Sequence, residues 1–583
     1  MPQLTLRAII MGGILGSIMS VSNLYTSIKL GWGFGVAITA CVLSYVTWNF
    51  FRLLLPRLSQ MSILENNCMQ STASAAGYST GSTIGTAFGA LLLITGVHVN
   101  FYLLLAWTFV TACLGVFLAV PMKRQMINRE GLTFPSGIAA ATTLRSLYAQ
   151  SVDSLKQAKS LVIALFSGLG LGFFKSHNIP NFFKLPDLIP FNLTLNKINF
   201  SSFPGFGFEP SLLLIGAGMI IGLRVCLSMF IGSLILYFGF GPFVLSLQPI
   251  IPPHKLIGGW ALWTGTAIMV TSGLTAFALQ WKVIVKSFNF KNNSKNTTNG
   301  TVNDIDNIEV PMSWLIIGLI PLSIAMVILE FMAFSISIPL GIVSILLSAV
   351  LALVACRATG ETDVTPIGAM GKITQLTYAV ACPSNMTTNL MAASVTANIA
   401  ISSADLLTDL KSGYLLGANP RKQFLAQFIG VFFGTIAVVP AWYMMIPNRQ
   451  SLEAYNPPST LMWKAVAEAL AHGIDYIPYT ARIGILIGGM LGVILVILEK
   501  YINPKYRKFI PSSMGLGLAW IMPFQNSLAF LIGAIITTVW SKINLKASDN
   551  YVIPIASGLV AGESIMSAIL AIQKSLLYIL FKH

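Results

Sequence analysis

The stretch that decides the fold is FMAFSISIPLGIVSILLSAVLALVAC, Phe331–Cys356, followed at once by RATGETD, Arg357–Asp363. Phe331–Cys356 carries no charge, and neither does Ile373–Ala404 on the other side. Each apolar run exceeds the roughly 20 residues a transmembrane helix needs. An ionised group costs roughly 2.5–3.5 kcal/mol at the bilayer centre, so Glu361 and Asp363, at the boundary between two such runs, form a solvated loop or a polar site. The structural alternative is a cap at the positive end of the helix that starts near Pro366.

Working outward, the same pattern fills the chain. Of 583 residues, 55% are hydrophobic and only 9% charged, against about 25% charged in soluble domains. Asn66–Met122 and Phe509–Ser541 contain no Asp, Glu, Lys or Arg. The expectation is an all-α polytopic membrane protein with about 12–16 spans. Gly137–Leu147 and Met462–Ala471 are the segments that blur that number. Leu6–Ile28 is too long for a secretory leader, lacks an obvious cleavage site and reads as a retained helix.

The net charge of +16 does not point to nucleic acid. Basic residues sit in short groups between apolar runs: Arg52 and Arg57, then Lys123, Arg124 and Arg129, then Lys500, Lys505, Arg507 and Lys508. That is the positive-inside pattern, which favours a cytoplasmic N-terminus; a plasma (inner) membrane location is expected. Cys41, Cys68, Cys113, Cys226, Cys356 and Cys382 form no CxxC pair and read as buried thiols. The histidines are scattered, so no zinc-type metal site and no cofactor are expected. The oligomeric state is open, a homo-oligomer included.

Residues 286–310 are rich in Asn, Lys, Ser, Thr and Asp and divide the chain into halves, 1–285 and 311–583. Such a composition reads as a flexible linker. The halves show weak likeness. Phe117–Pro121 corresponds to Ile436–Pro440, Phe134-Pro135-Ser136 to Pro457-Pro458-Ser459, and Leu64–Asn67 occupies the place of Gly360–Asp363. Repeated halves are the plan of secondary transporters, whose sites lie where the repeats meet. In each half a small, polar stretch, Ser71–Gly89 and Thr365–Ala397, reads as a broken or re-entrant helix along a central pathway. Ordinary helices facing their neighbours are the other reading. Gly-x-x-x-Gly spacings at Gly12/Gly16, Gly430/Gly434, Gly484/Gly488/Gly492 and Gly558/Gly562 imply close helix packing.

Three ionisable residues fall inside apolar runs, and such residues are functional hypotheses by default. Arg224 binds an anionic group or forms a structural ion pair. Glu330 is expected at a turn between two helices, with proton coupling as its functional alternative. Glu563, flanked by apolar residues and Gly562, suits a proton carrier. Asp405, Asp409 and Lys411 read as the solvated end of a helix. Gly77–Gly81 matches G-x-S-x-G, but no strand precedes it, so an intramembrane hydrolase built on Ser79 and His98 is disfavoured. A passive small-solute channel is the remaining alternative.

Several segments resemble the oligopeptide transporter family. These are Gly360–Asp363 with Pro366–Gln375, Asn385–Ala393, Asp405–Gly417 with Pro420–Gln423, Ser557–Ser564, and the opening Leu4–Ala8. The likeness is closer to the microbial branch related to the plant yellow-stripe-like metal-chelate transporters than to fungal peptide transporters. It implies a non-enzymatic, proton-coupled symporter of small peptides, glutathione-like compounds or metal chelates. The family's acidic and amide positions carry over as Glu361, Asp363, Asn385, Asn389 and Glu563. The expected substrate-binding set is Glu361, Asp363, Lys372, Asn385, Asn389 and Arg224. The expected proton-coupling set is Glu563, Glu361 and Glu330.

Overall fold

The computed structural model describes residues 2–247, 260–279 and 309–581, except 82, 150, 151, 177–179, 181, 196, 197, 204, 364, 384, 474–476 and 504. The 286–310 linker lies outside the described residues up to 308. Thirteen described helices are long and apolar enough to cross a membrane. Among the described residues, strands are confined to short pairs in the 189–208 segment. Lipid offers no hydrogen bonds, so the spans satisfy their backbone internally as helices. Pro135–Tyr148 and Pro458–His472 are too short to span, and each begins with proline in its first turn. Phe101–Lys123 and Pro420–Met445 each carry an internal proline, Pro121 and Pro440.

The packing is reciprocal. Val152–Phe174 lies along Leu545–Phe581, and Leu262–Leu279 along Tyr479–Tyr501, so a late helix of each half packs on the other half. Both pairs run side by side in the same direction: Gly558 meets Leu161 and Gly562 meets Leu165, while Gly484 meets Thr264 and Gly492 meets Ile268. In each pair glycine lets one backbone touch the other, as the four-residue spacing implied.

At the centre lies the 31-residue helix Met386–Leu416, buried from Thr388 through Gly413. Against it packs a broken helix: Ile63–Ser74, a π turn at Ala75–Ser79, and Ile84–Thr95. Two glycine pairs clamp that break. A Cβ on Gly12 or Gly16 would lie 2.5 Å from Met69 O or Ala76 Cβ, and one on Gly430 or Gly434 would lie 2.3 or 2.4 Å from Thr72 O or Ala76 O. The Ser71–Gly89 expectation of a broken helix therefore holds. Thr365–Ala397 differs: its interruption at Cys382–Asn385 is a partly exposed turn between Ile367–Ala381 and the long central helix. Pro383 and Asn385 there are exposed, and the two helices on either side pack on one another.

Polar networks mark the two ends of the bundle. At one end Lys123 pairs with Glu309, Glu130 with Arg357, Asp363 with Ser136, and Lys411 donates to the Leu132 carbonyl. Gln3 reaches the Asn419 amide and Ser62 donates to the Pro2 carbonyl, so the N-terminal residues lie beside the starts of Ile63–Ser74 and Pro420–Met445. At the other end Ser459 donates to the Gly31 carbonyl, and Lys29 meets Glu209.

Candidate functional site

Between the first helix, the central helix and the last helix lies a cavity of about 360 Å³. Leu6–Leu30 contributes Ser22, Asn23 and Thr26; the central helix contributes Asp405 and Thr408; Leu545–Phe581 contributes Ser557 and Ala561. At the end of Ile338–Thr362, exposed Asp363 lines the cavity together with Ser136 of the other half. The volume suits a small organic solute, for which pockets run about 300–1,000 Å³. The lining combines apolar side chains with nine hydroxyl-bearing residues, one amide and two carboxylates.

Asp405 corrects the reading of a solvated helix end. It is 6% exposed, and Asp409 one turn later is 1% exposed. No glycine or proline interrupts Met386–Ser412, so the helix carries both carboxylates past the apolar run and on against the broken helix. Asp405 Oδ1 accepts from Ser74 Oγ (2.8 Å), and its Oδ2 from Ser79 Oγ (3.1 Å) and Gln427 Nε2 (2.9 Å). The break in Ile63–Thr95 presents both serines to this carboxylate. The signal in the sequence was the absence of any helix breaker before Gly413, together with Gln70, Ser71 and Ser74 in an otherwise apolar setting.

The structure separates the other expected site residues. Asp363 has φ 63° and terminates its helix, and its carboxylate accepts from the Ser136 amide (2.8 Å) and hydroxyl (2.6 Å). It thus caps Pro135–Tyr148 in the other half rather than the helix after Pro366, because the left-handed turn carries it across the interface. Glu361 is exposed and pairs with Arg357 at 3.4 Å on the preceding turn of the same helix. Leu64–Asn67 is a helix start: Glu65 closes a capping box with Ser62 and takes two bonds from Arg7.

Lys372, Gln375 and Asn389 form a second buried cluster that does not line the cavity. Lys372 Nζ donates to Gln375 Oε1 (2.9 Å) and lies 4.7 Å over the Trp463 ring, while Asn389 Nδ2 donates to the Gln375 carbonyl (2.5 Å). Asn385 is an exposed N-cap bonded to the Thr388 amide. Arg224 follows a break at Gly222 (φ 92°) and pairs with Glu499 at 2.6 Å, both side chains partly exposed. Glu330 is buried beside Gly341 where two spans meet. Ser79 belongs to the Asp405 contacts, whereas His98 stacks 5.0 Å from Tyr443, so the two do not pair.

Glu563 is buried and held from three sides. Lys175 Nζ lies 3.2 Å from it, Ser211 Oγ donates at 2.9 Å and the Leu213 amide at 2.7 Å. Lys175 and Lys29 also flank Glu209, giving an alternating chain of four charges. Burial alone would push the Glu209 carboxyl up; Lys29 and Lys175 outweigh it and hold Glu209 below its ordinary value.

Residues 3–574 match the family described as OPT oligopeptide transporter protein. The chain is 27% identical to a Saccharomyces cerevisiae protein assigned to the oligopeptide transporters, over 97% of this chain and 95% of that one. It is 25% identical to the metal-nicotianamine transporter YSL2 of Arabidopsis thaliana, covering 98% and 94% of the two chains. It is 24% identical to the iron-phytosiderophore transporter yellow stripe 1 of Zea mays, covering 98% and 91%. With its thirteen apolar spans and its polar cavity, this chain belongs to the oligopeptide transporter family and is an integral membrane transporter, not an enzyme.

Proposed function

We propose that the protein moves a small peptide or a peptide-like metal chelate by proton-coupled symport, with alternating access around the cavity between its halves. The observation that carries this reading is the pairing of Asp363 and Asp405 with Asn23 and Ser136 on one cavity of about 360 Å³. Carboxylates and amides there suit the ammonium and peptide groups of a zwitterionic solute, or the cationic centre of a chelate. Reciprocal packing of the halves supports the repeat arrangement on which alternating access rests.

Exposed Asp363 and the basic groups around Lys123 and Arg129 share one end of the bundle with the N-terminus. By the positive-inside rule that end faces the cytoplasm of the plasma (inner) membrane, and the cavity reaches it. The Lys29–Glu209–Lys175–Glu563 chain then closes the opposite end. Glu563 is the coupling carboxylate at this gate: a proton on it weakens its hold on Lys175.

The test is uptake into proteoliposomes of a labelled dipeptide, glutathione and ferrous and ferric nicotianamine chelates at several pH values. Saturable uptake with counterflow of at least one probe, enhanced by an acid-outside gradient, is expected. Linear, unsaturable flux would identify a passive channel instead.

A further inference from the structure

Asp405 and Asp409 lie four residues apart on one helix, so their carboxylates occupy the same face. Among the described residues neither makes a salt bridge. Two ionised carboxylates at that spacing in a dry interior repel each other, and both holding full charge without a cation is strongly unfavourable. The two have different surroundings. Asp405 faces the cavity and takes three donors, as an ionised carboxylate requires. Asp409 does not line it.

Gln70 Nε2 donates to Asp409 Oδ1 at 2.5 Å. On the adjacent atoms, Asp409 Oδ2 and Gln70 Oε1 are both buried and make no hydrogen bond. The Ser71 and Ser74 hydroxyls approach the Asp409 carboxylate. However, the Ser74 hydrogen is committed to Asp405, and Ser71, which accepts from Gln423 Nε2 (2.9 Å), does not come within hydrogen-bond geometry of Asp409 Oδ2. A carboxyl and a primary amide joined by one N–H···O bond, with an acceptor left over on each, are matched by a single proton. Placed on Oδ2 and donated to Oε1, it closes a cyclic acid–amide pair and satisfies both orphaned acceptors, each of which otherwise carries the cost of an unmade buried hydrogen bond.

We infer that Asp409, paired with Gln70, is a second proton site of the transport cycle, distinct from Glu563 at the gate, held as a neutral carboxylic acid beside the cavity-facing carboxylate of Asp405. Holding the proton on Asp409 leaves Asp405 as the ionised member of the pair, free to meet the cationic group of a solute while the proton is bound one helical turn away, as symport requires. The other titratable or charged groups around the pair are Tyr78 and Cys41 on neighbouring segments, Cys68 on the broken helix, Asp363 across the cavity, and Lys411, whose ammonium is turned to the Leu132 carbonyl. Lys422 stands at the exposed start of the following helix, near Cys68. The inference rests on the transport reading above for what the proton does, not for where it sits.

The experiment is infrared spectroscopy of the full-length protein in vesicles without solute, titrated with pH in H2O and D2O. At neutral pH the wild type should show a protonated-carboxyl C=O band that Asp409→Asn removes. Gln70→Leu should keep the band but shift it to higher frequency, because the acid loses its amide acceptor. A band that survives in Asp409→Asn, or one whose frequency ignores Gln70→Leu, overturns the proposal. The Gln70→Leu arm decides the matter if Asp409→Asn does not fold. In the same vesicles, gradient-driven accumulation of the probe that the wild type transports should fall in Asp409→Asn to the level of protein-free vesicles, and accumulation at the wild-type level overturns the coupling role. A wild type that moves no probe sinks the solute reading alone, and the infrared result still settles the proton site.

Discussion

Asp363 and Ser136 are joined twice, through the Ser136 amide at 2.8 Å and its hydroxyl at 2.6 Å, across 227 positions of sequence. Phe134, at the N-cap of Pro135–Tyr148, offers that helix no side-chain cap, so Asp363 supplies it from the other half. Losing a cap of this kind costs about 0.5–2 kcal/mol. Asp363→Ala should lower thermal stability in detergent accordingly and weaken solute binding, whereas Asp363→Asn keeps the acceptor and most of the stability. Equal melting temperatures for Asp363→Ala and the wild type would exclude the capping role.

Glu563 and Lys175 form a buried pair, and removing one member of such a pair costs about 3–5 kcal/mol by leaving the other uncompensated. Lys175→Met alone should be strongly destabilising, and Lys175→Met combined with Glu563→Gln should recover much of the loss. Glu563→Gln alone should abolish accumulation driven by a pH gradient. Accumulation at the wild-type level would remove Glu563 from coupling.

Glu209 gives a pH dependence with a definite sign. Its folded-state carboxyl is held below the ordinary value by Lys29 and Lys175 despite burial. Its contribution to stability is therefore fully present above the unfolded carboxylate range and is lost as pH falls through the folded value. Thermal melts from neutral pH into the acid range should show a decline that is shallower in Glu209→Gln. Parallel declines in both proteins would contradict the assignment.

Gly562 sits where a Cβ would come within 2.1 Å of the Leu165 carbonyl oxygen, while Gly170 on the facing helix has nothing within 4 Å. Gly562→Ala must push two backbones apart, an overpacking cost of about 1–3 kcal/mol. Gly170→Ala should be neutral or stabilising, since alanine is the better helix former by about 1 kcal/mol. The two melting temperatures check this directly, and equal shifts would argue against the close contact.

Much of the fold was readable in advance. Uncharged runs of span length define helices, Ser71–Gly89 is too polar and small for an ordinary lipid-facing span, and glycines four apart mark the close crossings at Gly558/Gly562 and Gly484/Gly492. Pro135 and Pro458 open the two short helices that blurred the span number. The site was less legible. Glu361, the first carboxylate to draw notice, lies outside the cavity with Arg357, and Arg224 serves a partly exposed pair with Glu499. Asp405, which does face the cavity, read as a helix end because the charges after it, Asp409 and Lys411, look like a solvated turn.

Sequence alone determined that this chain is a bundle of membrane-crossing helices with a small, polar stretch at Ser71–Gly89, since span length and hydrogen-bond satisfaction in lipid leave few other choices. Tertiary structure alone decided which carboxylates meet. In water an apolar stripe marks the buried face of a helix, but in lipid both the core-facing and outer sides are apolar, so that stripe fades. Which face of Met386–Leu416 meets Ser74, Gln70 and the cavity follows only from the packing of the broken helix between its glycine-faced neighbours.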